Sequence, residues 1–194
     1  QYQRENIIVS TGAKQTLFNL FQSVLGSDDE VVIISPYWVS YPDMVILADA
    51  KPVIVETRQE DNFDIDMASF KTALTDKTKL LILNSPSNPT GITYTKEQYE
   101  SMGKILSDYP NVLIVTDDMY EHIYWGNEPF TSFAEACPNL FDRTITVNGV
   151  SKAYAMTGWR IGYLAGNATL VKAISKLQGQ STSCPNSIAQ YAAI

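Results

Sequence analysis

KLLILNSPSNPTGITYTKEQYESMGKILSDYPNVLIVTD, residues 79–117, decides the fold. It opens on a near-continuous apolar run, KLLILN, and closes on another, NVLIVTD. Between them lie a proline- and glycine-rich loop and a helical pattern, TKEQYESMGKILSDY, for which Thr95 is a natural N-cap. Apolar runs without polar alternation are those of strands covered on both faces. The same alternation continues in both directions. EVVIIS (30–35), PVIVET (52–57) and RTITVNG (143–149) read as further buried strands. Ala13 to Leu25 places Leu17, Leu20, Phe21, Val24 and Leu25 on one helical stripe, and ATLVKAISKLQ (168–178) has similar character. Strands alternating with helices predict an α/β protein, a three-layer α/β/α sandwich with a mostly parallel sheet. IGYLAG (161–166) follows its predecessor so closely that an antiparallel course is expected. No repeat, low-complexity linker or internal boundary divides the 194 residues, which read as one domain.

Composition narrows the partners. A net charge of −7 argues against nucleic acid or an anionic membrane held by bulk electrostatics, so an anion must be captured by a few placed groups. Cys137 and Cys184 make no disulfide framework and no CxxC pair, which fits a reducing, cytoplasmic setting. His122, the only histidine, lies near Asp118 and Glu121 but has no second histidine or cysteine nearby, so no metal site is expected. No run is long enough to cross a bilayer as a helix, and no signal-peptide layout opens the chain. The first residues enter a strand without a starting methionine, and the last stop while a helical pattern still runs. The expectation is an excerpt, truncated at both ends, of a longer chain.

In open α/β sheets, ligands bind beyond the carboxyl ends of the strands. Those ends are residues 35–38, 84–91, 117–120 and 148–152, all polar, aromatic or glycine-rich. Neither G-x-x-x-x-G-K-[ST] nor G-x-G-x-x-G occurs. STGAKQ (10–15) nevertheless puts Gly12, Ala13 and Lys14 at a helix start, where free N–H groups suit a phosphate, and Arg160 offers a two-pronged contact to it. The turn is equally a plain helix start. Lys152, if partly desolvated near other cations, is a nucleophile toward carbonyls; otherwise it is a surface lysine. Asp117 is a carboxylate delivered by an apolar strand, or a cap or ion-pair partner. Tyr120, three residues on, either shares its pocket or packs in the core. The loop NSPSNPTG (84–91) either aims the Asn88 amide or simply turns the chain. Trp38 is a stacking platform or a buried aromatic.

SPYWVSYP, NSPSNPTG, TDDMYEH and NGVSKAYAMTGWRIGY together resemble a class I aminotransferase of the aspartate aminotransferase group. The resemblance runs along essentially the whole chain. It implies a pyridoxal 5′-phosphate enzyme of fold type I, with residues 1–194 as its large, cofactor-binding domain. By the same resemblance, Lys152 would hold the cofactor covalently and then shuttle a proton between the substrate Cα and the cofactor. Asp117 would pair with the pyridine nitrogen. Asn88 and Tyr120 would hydrogen-bond the ring's phenolic oxygen, and Trp38 would stack on the ring. Trp38 and Asn88 would also border the substrate. Gly12, Ala13 and Lys14 would cradle the phosphate through backbone N–H groups, and Arg160 would clamp it. Some relatives carry a serine three residues before the lysine, where Gly149 stands here; Ser151 is the nearby hydroxyl. The family's substrate-carboxylate arginine belongs to a small C-terminal domain, and a tyrosine crossing the dimer to an N-terminal segment; both lie outside these residues.

The expected activity is amino-group transfer between an amino acid, aspartate first, and a 2-oxo acid, in a homodimer. Its rivals are a carbon–sulfur β-lyase or another amino acid aminotransferase on the same scaffold. A third is a non-catalytic domain of this fold in a transcriptional regulator, which a helix-turn-helix preceding it would reveal.

Overall fold

The computed structural model describes residues 2–194. Seven strands form one sheet: β1 (Ile7–Thr11), β2 (Glu30–Ile34), β3 (Lys51–Val55), β4 (Thr78–Asn84), β5 (Leu113–Asp117), β6 (Thr144–Gly149) and β7 (Ile161–Ala165). Their spatial order is β1-β7-β6-β5-β4-β2-β3. β3, β2, β4, β5 and β6 pair in parallel. β7 is antiparallel to both its neighbours, β6 and β1. The expected mostly parallel sheet, with a reversed strand at 161–166, is what forms. Pro52 sits in β3, at the sheet edge, where a missing N–H costs no ladder bond.

Seven helices cover the sheet: α1 (Ala13–Val24), α2 (Ser40–Leu47), α3 (Met67–Ala73), α4 (Lys96–Leu106), α5 (Phe133–Ala136), α6 (Ala168–Gly179) and α7 (Ser187–Ala192). Alternate residues of each strand feed opposite cores. Val31 and Ile33, Leu80 and Ile82, and Val115 pack with Leu17, Leu20 and Phe21 of α1 and with α2 and α6. Val32 and Ile34, Leu81 and Leu83, and Ile114 pack with Phe70 of α3 and with Tyr99, Met102 and Leu106 of α4. That period of two, apolar on both sides, is why the strands read as unbroken apolar runs. Each fully buried side chain of this size stabilises the fold by about 1.5–3 kcal/mol.

Local chemistry fixes the helix ends. Thr95 Oγ1 accepts from the Gln98 N–H (3.2 Å) while Gln98 Oε1 accepts from the Thr95 N–H (2.8 Å), a reciprocal capping box that starts α4 where the sequence places it. After α4, Arg143 donates to the carbonyls of Leu106, Tyr109 and Val112 at 2.6–2.9 Å. Buried Gln178 of α6 ties three elements together. Its Oε1 accepts from Ser10 Oγ (2.7 Å) and Asn19 Nδ2 (3.1 Å), and its Nε2 donates to the Val9 carbonyl (2.9 Å). β1 and α1 are thereby locked on either side of the glycine turn that joins them.

Candidate active site

The carboxyl ends of β1, β2, β4, β5 and β6 meet at one edge of the sheet, and a cleft of about 240 Å³ opens there. Ala13, Lys14, Trp38, Asn88, Asp117, Tyr120, Lys152 and Arg160 all line it, and Gly12 lies directly behind the Arg160 guanidinium. The structure therefore brings together every residue that the sequence singles out.

Gly12 has φ +82° and precedes α1. A side chain here would be strained and would collide with Arg160, whose Cζ lies 2.8 Å from the position of a Cβ. Ala13 and Lys14 are the first two residues of α1, so their amides have no carbonyl four residues back to bond. With the helix dipole, these two donors and Arg160 make a compact anion-binding corner. Arg160 itself is left-handed (φ +55°), a conformation costing a non-glycine residue roughly 1–2 kcal/mol, and its Nη1 donates to the Thr157 carbonyl at 2.7 Å. Gly149 and Gly162 face each other across β6 and β7. A Cβ on Gly149 would stand 2.8 Å from the Ile161 carbonyl oxygen, which explains why no serine occupies that position. Ser151 lines the cleft instead.

Asp117, the last residue of β5, is 6% exposed. Its Oδ2 accepts from the Tyr41 hydroxyl at 2.7 Å, while its Oδ1 is buried without a partner. Burial pushes its carboxyl up to about 6, against the Tyr41 hydrogen bond that pulls it down. Burial also raises neighbouring Asp118 far above the usual carboxylate range, with Asp117 and Glu121 adding to the effect. A cationic N–H placed at Oδ1 would satisfy the orphan oxygen and favour the carboxylate form.

Tyr120 is half-buried; burial and then the Asp117 carboxylate raise its hydroxyl pKa, and the Asn88 side chain opposes them. Lys152 Nζ lies 5.9 Å from the centroid of the Tyr120 ring. The expectation of a partly desolvated lysine is not met within this chain, because Lys152 is exposed in the turn after β6. Trp38 packs edge-on against Tyr41, ring centroids 5.4 Å apart, and the Lys14 ammonium lies 4.8 Å from the Trp38 ring.

Sequence reasoning gave no role to three groups that build this cleft. Tyr41, in the first turn of α2, holds Asp117, and its N–H bonds the Trp38 carbonyl at 3.0 Å. Asn84 donates to the Asp117 carbonyl (2.7 Å) and accepts from the Asn88 N–H (2.8 Å), so it joins the two strand ends and aims Asn88. Met119 lines the same cleft beside Asp117.

A helix start beside Arg160, a buried carboxylate whose Oδ1 lacks a partner, and a lysine lie in one cleft. The sequence profile described as "Aminotransferase class I and II" matches residues 1–194, and the chain belongs to that family. It is 49% identical to the aspartate/prephenate aminotransferase of Nitrosomonas europaea, with 100% of this chain aligned to 51% of that protein. It is 48% identical to the aspartate aminotransferase of Bacillus subtilis, with 100% of this chain aligned to 49% of that one. The crystal structure of the aspartate aminotransferase from Rhizobium meliloti superposes with a TM-score of 0.96 at 46% identity, covering 99% of this chain and 48% of that one. The chain thus spans about half the length of the relatives it matches.

Proposed function

We propose that this chain is the cofactor-binding domain of a pyridoxal 5′-phosphate-dependent aminotransferase that exchanges an amino group between aspartate and a 2-oxo acid. The observation that carries the reading is the orphan Oδ1 of Asp117, buried in the cleft that Lys152 also lines. A protonated pyridine nitrogen is the partner this oxygen lacks. The residues fit the cofactor: a phosphate corner, a carboxylate for the ring nitrogen and an amine for the aldehyde.

The Ala13 and Lys14 amides and the Arg160 guanidinium would hold the phosphate. Trp38 would offer a ring face for stacking. Tyr120 and Asn88 would bind the phenolic oxygen. Asp117, fixed by Tyr41, would keep the ring nitrogen protonated. When bound, the cofactor supplies an electron sink for the charge left at the substrate Cα. Lys152 Nζ would be the amine that meets the cofactor's carbonyl group, and it would hold and move the proton at the substrate Cα.

Aspartate is favoured because the similar proteins at 48–49% identity bear aspartate in their names, one of them with prephenate. A cytoplasmic homodimer completes the reading. Its supports are two free cysteines and a groove beside Lys14 and Arg160 that is lined by Phe18 and Leu47, with Val39 and Ile46 also exposed. Among the described residues no helix is long and apolar enough to cross a membrane. The test is to assay the full-length protein with aspartate and either 2-oxoglutarate or prephenate, beside a β-lyase assay with cystathionine. Amino transfer from aspartate without pyruvate release from cystathionine is expected. Lyase activity alone, or neither activity, overturns the assignment.

A further inference from the structure

The β5–β6 ladder ends at the pair Asp117–Val147, closed by the Asp118 N–H bonding the Val147 carbonyl at 2.9 Å. Beyond it β5 gives way to the loop carrying Tyr120, while β6 runs on to Gly149, paired only with β7, before the turn carrying Lys152. Backbone pairing between β5 and β6 no longer sets the distance between those side chains. Among the described residues, a single side-chain hydrogen bond joins the Tyr120 loop to the end of β6: Asn148 Nδ2 donates to Glu121 Oε1 at 2.7 Å.

Both ends of this link are held. Asn148 is buried, and its Oδ1 accepts from the Gly149 N–H at 2.7 Å. Only one orientation of the amide serves both contacts, since a carboxylate accepts and an N–H donates. Glu121 is fixed on the Tyr120 turn by its N–H to the Asp118 carbonyl (3.0 Å), and the Ile123 N–H closes on the Tyr120 carbonyl (2.8 Å). His122 Nε2 lies 3.4 Å from the same Glu121 oxygen. A short hydrogen bond to a carboxylate, anchored in backbone on either side, is stiff.

We propose that Glu121, acting through Asn148, is a positioning residue that sets the Tyr120 hydroxyl against Lys152 Nζ and so aligns the lysine for attack on the cofactor's carbonyl. The inference rests on the reading of Lys152 given above. It touches neither cofactor nor substrate, and the cleft does not include it among its lining residues.

The test mixes full-length apoprotein with pyridoxal 5′-phosphate, quenches with borohydride at intervals and follows the reduced adduct on the Lys152 peptide. Glu121→Ala should slow capture by about tenfold or more, the scale of one lost hydrogen bond to a charged group. Glu121→Gln keeps an acceptor for Asn148 and should stay within about twofold of the parent. In the Tyr120→Phe background, Glu121→Ala should change capture by less than about twofold, because the group being positioned is gone. A merely structural role would lower the melting temperature and slow capture equally in both backgrounds, and that result overturns the proposal. So does parent-like capture by Glu121→Ala. If the unsubstituted protein forms an adduct but not on Lys152, the cofactor reading itself fails and this inference fails with it.

Discussion

Asp117 carries the proposed chemistry, and its burial makes a testable signature before any cofactor is added. Its carboxyl titrates at about 6 in the fold, against an ordinary value of 3.8. Between those values the folded protein binds the extra proton. The stability associated with the neutral form is therefore full below about pH 3.8 and is lost as pH rises through 6. Asp117→Asn imitates the neutral acid, so the apoprotein variant should gain stability over the parent as pH rises from 4 to 7. Thermal melts across that range check this, and a pH-independent difference contradicts it. Tyr41→Phe removes the one side-chain donor that Asp117 has. It should cost about 1–3 kcal/mol at pH 7, the price of an unpaired buried charge, and should weaken cofactor affinity in a direct titration.

Elements place these residues, and two glycine positions show how closely. A Cβ on Gly162 of β7 would stand 2.6 Å from Ala13 Cα and 2.5 Å from the Gly12 carbonyl carbon. Backbone meets backbone there, so Gly162→Ala must push the start of α1 away from the sheet. A loss of about 1–3 kcal/mol is expected. Thr95→Ala removes the α4 cap on the opposite face of the sheet for about 1 kcal/mol. Phosphate-dependent affinity should fall in the Gly162 variant and not in the Thr95 variant, as titration with pyridoxal 5′-phosphate would read. Equal losses in both would mean that the anion corner does not depend on this contact.

The strands were legible because burial on both faces leaves no polar alternation, and the reversed β7 was legible because its connection is short. Lys152, Asp117 and Arg160 stood out as charges beside apolar runs. Tyr41 was not legible, because its partner Asp117 lies 76 residues away in sequence. Gln178 was equally hidden. It looks like a polar-face residue of α6, yet its partners Ser10 and Asn19 lie more than a hundred residues away in sequence.

At the scale of the molecule, one edge of a seven-stranded sheet gathers ligand-binding groups from five strand ends and a helix start. The cleft they form is open, with Lys152 exposed and with Val39, Ile46 and Leu47 uncovered nearby. The 194-residue chain by itself should therefore bind pyridoxal 5′-phosphate weakly and show negligible transamination, since substrate orientation is not enforced. Turnover within about tenfold of the full-length protein, roughly 1.4 kcal/mol of barrier, would contradict this.

The proposed function requires that Lys152 bond the cofactor. The direct measurement is borohydride reduction of the full-length protein saturated with pyridoxal 5′-phosphate, followed by peptide mapping by mass spectrometry. Loss of the visible absorbance and a single phosphopyridoxyl group on Lys152 are expected. The same group on Lys14 or Lys172, with Lys152 unmodified, would contradict it.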